Sequence, residues 1–208
     1  MPYKNSYPSI LTKKLVCGDR AFWPYVSTCL AVRLNNAMKA RTINIFSVLD
    51  EIALLEGNPL AKKTGTKPAT RFTGPYLGRF WHKHWTSAAF IEANLEQQWW
   101  GGYAEKKGLA AKVIRDAFEA TGKPYGSDLS EAELWEVTSR MTCEMVKEGY
   151  RRRSSRGALT GEWLIYYVHN GQNYYLDIAS HSEGDDDKRL LERLRDSCAW
   201  EFPFAFAD

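Results

Sequence analysis

The chain has 208 residues, 44% of them hydrophobic and 25% charged, with a formal net charge of +3. These values are ordinary for a globular chain and exclude a low-complexity one, and a charge this small does not by itself point to nucleic acid. The length suits a single domain spanning 1–208. No stretch approaches the roughly 20 apolar residues of a membrane span, so no membrane partner is expected. Lys4, Lys13 and Lys14 are not followed by an apolar run of signal-peptide length, and the expected location is cytoplasmic.

In chain order, residues 1–20 read as irregular. Pro24 suits the first turn of a helix over about 24–38, with Val26, Leu30, Val32 and Leu34 on its apolar side. A second helix runs from about Ile43 to Leu55, with Phe46, Leu49 and Ile52 in its stripe and Gly57 as its stop. Residues 57–78 hold repeated Gly and Pro and read as a long functional or mobile loop. Thr86 or Ser87 can cap a helix reaching Trp100, Gly101-Gly102 breaks it, and another follows over about 103–120. Ser130-Glu-Ala-Glu133 is a capping box that opens a helix to about Lys147, with Gly149 read as its stop.

The segment EWLIYYVHNGQNYYLDIAS places two aromatic and β-branched runs around Asn170-Gly171, a strong hairpin signal. With those two residues as the turn, Val168 faces Asn173, Tyr166 faces Tyr175, Leu164 faces Asp177 and Glu162 faces Ala179. One face then carries Trp163, Ile165, Tyr167, Tyr174, Leu176 and Ile178 as core. The other carries Glu162, Leu164, Tyr166, Tyr175, Asp177 and, by extension, His181. Asp185–Asp187 suit the N-terminus of a last helix to about Cys198. WEFPFAF over 200–206 reads as an edge strand, because Pro203 cannot donate to a ladder. The fold class is α+β, with about five helices, then a small antiparallel hairpin sheet and a C-terminal helix.

Charge is unevenly placed. Residues 57–85 carry six Lys/Arg and no acid, and 151–156 carry four Arg, whereas 157–208 carry four bases and ten acids. Such clustering suggests a face for a polyanion or for an acidic protein partner. Lys62, Lys63, Lys67, Arg71, Arg79 and Lys83 alternate with aromatics that include Trp81 and Trp85. Basic side chains neutralise phosphates while aromatic faces stack on bases. Arg151, Arg152, Arg153 and Arg156 read either as a solvated linker or as a lead for phosphates toward the hairpin. The bland alternative for the whole set is a solvated loop with its aromatics turned inward.

The chemical candidates are His82, His84, Glu162, Asp177 and His181. In the register above Glu162 is a diagonal neighbour of Asp177 and His181, about 7–8 Å between Cα atoms, which suits acid/base work or a shared divalent cation. His82 and His84, two apart in an extended segment, point the same way. Two such histidines begin many metal sites, but no third and fourth ligand stands at a matching spacing. The four cysteines, Cys17, Cys29, Cys143 and Cys198, form no C-x-x-C and read as reduced thiols.

Basic residues leading into a small antiparallel sheet that bears Tyr and His resemble the plan of the RelE-type ribosome-dependent RNases. The likeness covers the arginine run and the hairpin alone and includes no diagnostic motif. The expectation is a protein that binds RNA or DNA through 57–85 and 151–156, with cleavage of the phosphodiester backbone as the narrower form of that reading. The alternative is a non-enzymatic accessory module that binds proteins through exposed aromatics.

Overall fold

The computed structural model describes residues 7–207, an α+β chain. Its contacts gather into two compact units. One is built from residues up to Ser87 and from Thr160 onward; the other is Ala88–Leu159. The division arises because the helices of 88–159 close a core of their own between two strands that pair with each other. Among the described residues no helix is long and apolar enough to cross a membrane.

The first unit opens with helix α1, Tyr7–Cys17. This corrects the irregular reading for those residues; residues 1–6 lie outside the described part. The helix was hidden because Lys13 occupies a core position of its stripe. That side chain is fully buried and ion-paired with Glu201. A short 3₁₀ turn, Trp23–Tyr25, precedes α2, Thr28–Ala40, which is capped by the Ser27 hydroxyl accepting from the amide of Leu30. Helix α3, Ile45–Leu55, follows. The segment beyond it is not free: Thr66 and Leu77 are buried, and the chain forms a two-residue strand β1, Thr70–Arg71, before β2, Trp81–Trp85.

The second unit holds α4, Ile91–Trp99; α5, Gly102–Lys106; α6, Leu109–Glu119; and α7, Glu131–Thr142, whose capping box at Ser130 and Glu133 forms as read. Gly149 does not stop α7. The helix passes through a π segment, Cys143–Glu148, into α8, Gly149–Ser155. A Cβ at Gly149 would lie 2.7 Å from Trp99 Nε1, and that indole nitrogen donates to the carbonyl of Met145 at 2.8 Å. Glycine is present for close approach, and the disturbed helical ladder coincides with the inserted tryptophan.

The chain then returns to the first unit as β3, Glu162–His169, and β4, Gln172–Ala179, and ends with α9, Asp187–Cys198. The sheet is antiparallel throughout, in the order β1-β2-β3-β4. It is therefore four strands, not a terminal hairpin. Asn170 and Gly171 adopt positive φ as the turn requires. Val168 pairs with Asn173 and Tyr166 with Tyr175, as read. A bulge between Ile165 and Tyr166 then shifts the register, so Asp177 sits opposite Ile165 rather than Leu164, and Ala179 opposite Trp163 rather than Glu162. WEFPFAF is not a strand. Pro203 starts a 3₁₀ turn, Pro203–Ala205, that turns Phe202, Ala205 and Phe206 into the core under α9.

Both faces of the sheet are buried. On one, Ile165, Leu176 and Ala179 pack with Leu190, Leu194 and Cys198 of α9, with Trp163, Tyr167 and Tyr174 against them. On the other, Leu164, Tyr166 and Tyr175 are buried too, and Tyr175 donates its hydroxyl to Glu56 at 2.6 Å. Ile178 belongs here, moved by the bulge to face Leu164. The second face of the hairpin is thus interior rather than solvated.

Candidate functional site

The WHKHW run of β2 alternates. His82 pairs with Ile165 and His84 with Trp163 on one face, while Trp81, Lys83 and Trp85 share the other face with Tyr166, Leu164 and Glu162. His181, two residues beyond β4, folds back under a 3₁₀ turn, Ser182–Asp185. Gly184 in that turn lies so close to Trp163 that a Cβ would come 2.2 Å from its ring. Three of the four histidines thereby gather on Trp163. The His84 and His181 rings stack 5.3 Å apart, His181 lies 4.6 Å from Trp163, His82 5.3 Å from Trp163, and His82 5.7 Å from His84. Phe72 closes the far side at 4.4 Å from His82.

One backbone oxygen organises two of these rings. The carbonyl of Gly161 accepts from His84 Nδ1 at 3.0 Å and from His181 Nε2 at 2.8 Å. A carbonyl only accepts, so both nitrogens carry hydrogen. His84 Nε2 and His181 Nδ1 are left for other chemistry. His82 Nε2 meets the Thr70 hydroxyl at 3.1 Å, and His82 Nδ1 is buried with no hydrogen-bond partner among the described residues, as is Trp163 Nε1. Gly161 can hold this place because it has no side chain: a Cβ would lie 1.9 Å from the carbonyl oxygen of Trp85.

The rings of His82 and His84 are held neutral. Burial lowers His82 to about 4, helped by His84, His181 and Lys67. Burial likewise lowers His84 to about 4 against the opposing pull of the Gly161 carbonyl, with Lys67, His181 and Lys83 adding to the depression. Lys67 is exposed, so its charge stands beside both rings and open to solvent.

The carboxylates do not join the histidines. Glu162 faces the side of the sheet opposite His84, in a groove of about 370 Å³ with Arg33, Asn36, Ser180 and Glu183. Burial and the Glu183 carboxylate raise it, and His181 opposes them. Asp177 is fully buried, bonded to Arg33 at 2.9 Å and to Arg193. Burial raises its carboxyl and the two guanidinium groups pull it back. The bulge that moved Asp177 across the ladder dissolves the diagonal Glu162–Asp177 pair, and with it a shared cation between them. Among the described residues no group of three or more His, Cys, Asp or Glu is arranged to hold a metal ion.

Of the basic set, Lys62, Lys63, Lys67 and Arg71 are exposed. Lys83 is buried: it pairs with Glu51 at 3.1 Å, donates to the Thr66 hydroxyl and donates to the carbonyl of Lys67 at 2.6 Å. It anchors the basic loop rather than meeting solvent. Arg79 donates to the carbonyl of Ala207 at 2.6 Å. Trp85 is buried, and Trp81 stacks on Tyr166 at 6.4 Å. The arginine run is not a linker but the end of α8 in the other unit. There Arg151 and Arg152 pair with Glu148 and Glu144, Arg153 is buried against Asn94 and Gln97, and Arg156 donates to Gln98.

Thr70, Phe72, Gly161 and Trp163 belong to the site and were not singled out for it. Trp163 read as plain core, and only the pairing of β3 with β2 reveals its histidine neighbours. No protein-family model matches the chain, and no curated protein or solved structure matches it.

Proposed function

We propose that the first unit binds a nucleic-acid strand along Lys62, Lys63, Lys67 and Arg71 and cleaves RNA at the histidine group without a metal ion. The observation that carries the reading is the convergence of His82, His84 and His181 on Trp163 beside the exposed Lys67. Acid/base cleavage of RNA needs a lone pair to take the proton of the 2′-hydroxyl, a proton for the departing 5′-oxygen, and positive charge at the phosphate. His84, held neutral with hydrogen on Nδ1, offers Nε2 as the base. His181, exposed and with Nε2 tied to Gly161, offers Nδ1–H as the acid in its protonated form. Lys67 supplies charge near both rings. RNA is favoured over DNA because it brings its own nucleophile.

The test is a fluorescent RNA incubated with the full chain in EDTA. Cleavage to a 2′,3′-cyclic phosphate is expected, with His84→Ala and His181→Ala each slower by about 10²–10⁴-fold and a DNA strand of the same sequence left intact. Rates that do not change in either variant would sink the reading, as would loss of all cleavage with EDTA.

The second unit favours the other reading for its own surface. Tyr103 and Trp135 are 74% and 67% exposed there, as protein-binding anchors would be before a partner covers them. Retention on heparin separates the two readings. A polyanion binder elutes at a salt concentration that falls when Lys67 is neutralised, and a chain that only binds proteins is not retained.

A further inference from the structure

We propose that Cys29 and Cys198 form a redox-active dithiol, a site of reversible oxidation by peroxide independent of the histidine group. The two thiols come from α2 and α9 and meet where both helices reach β4. Cys29 Sγ lies 3.7 Å from the Asp177 carboxylate, Cys198 Sγ donates to the carbonyl of Leu176, the preceding residue, at 3.4 Å, and Cys29 packs against the buried cluster that contains Cys198. Cys29 is half-buried and opens into a cavity of about 570 Å³ with Arg33, Asn36, Asp196, Ser197 and Trp200. Cys198 is fully buried behind it. One thiol is thus reachable by a small oxidant, and its resolving partner is sequestered in the cluster that Cys29 packs against.

The charges facing the pair support the same order of events. The neighbouring Cys198 lowers Cys29 to about 7; burial and Asp177 oppose, while Ser197 and Arg33 assist. Arg193 reaches the same carboxylate of Asp177 from α9. The neighbouring Cys29 and burial hold Cys198 far up as a thiol. Cys17, buried elsewhere, is pushed up to about 11, and Cys143 stands exposed in the other unit.

In the first step the Cys29 thiolate attacks one oxygen of hydrogen peroxide. The O–O bond breaks, hydroxide leaves and takes up the proton lost by the thiol, and Cys29 becomes a sulfenic acid. In the second, Cys198 sulfur attacks Cys29 sulfur, the S–O bond breaks, and the departing hydroxide takes the Cys198 proton. Two thiols and one peroxide yield one disulfide and two waters.

The experiment exposes the reduced full chain to a small excess of hydrogen peroxide, quenches it in acid, and maps the products by mass. A loss of two hydrogens and one linked peptide pair containing Cys29 and Cys198 is expected, reversed by dithiothreitol. The Cys198→Ala variant should stop at a dimedone-trappable sulfenic acid on Cys29. A bridge through Cys17 or Cys143, or no oxidation at Cys29, overturns the proposal. The alkylation rate of Cys29 against pH is the second readout. Its half-rise lies near 7 in the wild type and moves up toward the ordinary thiol value of 9 in Cys198→Ala. An unmoved profile also overturns it. The readout is covalent chemistry, so it stands or falls separately from RNA cleavage.

Discussion

Lys83→Met tests whether the central lysine of WHKHW meets phosphate or holds the fold. In the structure its side chain is 9% exposed and its partner Glu51 1% exposed, with the charges 3.1 Å apart. Burial alone pushes the Glu51 carboxyl up, and Lys83 is the largest opposing influence. Removing the ammonium leaves a buried carboxylate with the Thr66 hydroxyl on Oε1 at 2.9 Å and no hydrogen bond to Oε2 among the described residues. Breaking such a pair from one side costs about 3–5 kcal/mol. For a chain of this size about 2–4 °C of Tm follows each kcal/mol, so a fall of roughly 6–20 °C is expected. The double variant Glu51→Leu with Lys83→Met removes both charges and should recover most of that loss. Thermal unfolding followed by tryptophan fluorescence reads all three proteins. Binding to single-stranded RNA is then compared at several salt concentrations. Neutralising Lys67 should lower the salt slope by about 0.7, the value of one lost single-strand phosphate contact, and the double variant should leave it unchanged. If Lys83→Met melts like the wild type and lowers the slope, the ion pair is not formed and Lys83 faces the polyanion.

Other consequences are as direct. In the unfolded chain His82 and His84 titrate near the ordinary 6.5, whereas in the fold they resist protonation until about pH 4. Between these values the unfolded chain binds more protons, so stability is full above pH 6.5 and falls as pH is lowered toward 4; urea midpoints that stay level across that window would refute the neutral burial of the rings. Gly161→Ala puts a Cβ against the Trp85 carbonyl, so the β2–β3 ladder must open at that end. The variant should lose RNA cleavage together with amide-exchange protection at Trp85, and protection kept intact would disprove the close approach. Gly149→Ala forces a methyl into the Trp99 indole and should cost about 1–3 kcal/mol by overpacking. Its combination with Trp99→Leu should be less destabilised than the two separate losses predict.

Local chemistry was legible wherever one short segment decides the outcome. The Asn170-Gly171 turn, the Ser130 capping box, the stop after α3 and the N-terminus of α9 all form from residues within a few positions of one another. That His82 and His84 share one side was legible as well, because a strand places them so by its period alone. Helix α1 and the 203–205 turn were misread where a buried ion pair or a proline in a hydrophobic run disguised the pattern.

The α+β class, the hairpin turn and the acid-free basic loop follow from the sequence alone, since each depends on propensity, period or composition within a window. Only the tertiary structure decided which candidates meet. A single bulge at Ile165 moved Asp177 across the ladder and away from Glu162. The pairing of β2 with β3, across the whole helical unit that separates them in the chain, set His84 against Trp163 and left room at Gly161 for one carbonyl to hold two histidines. The burial of Lys83 was decided by Glu51 on a distant helix. The physical reason is the same in each case. Side-chain period is a local property, whereas strand register, ion-pair partners and shared acceptors depend on contacts between segments far apart in the chain.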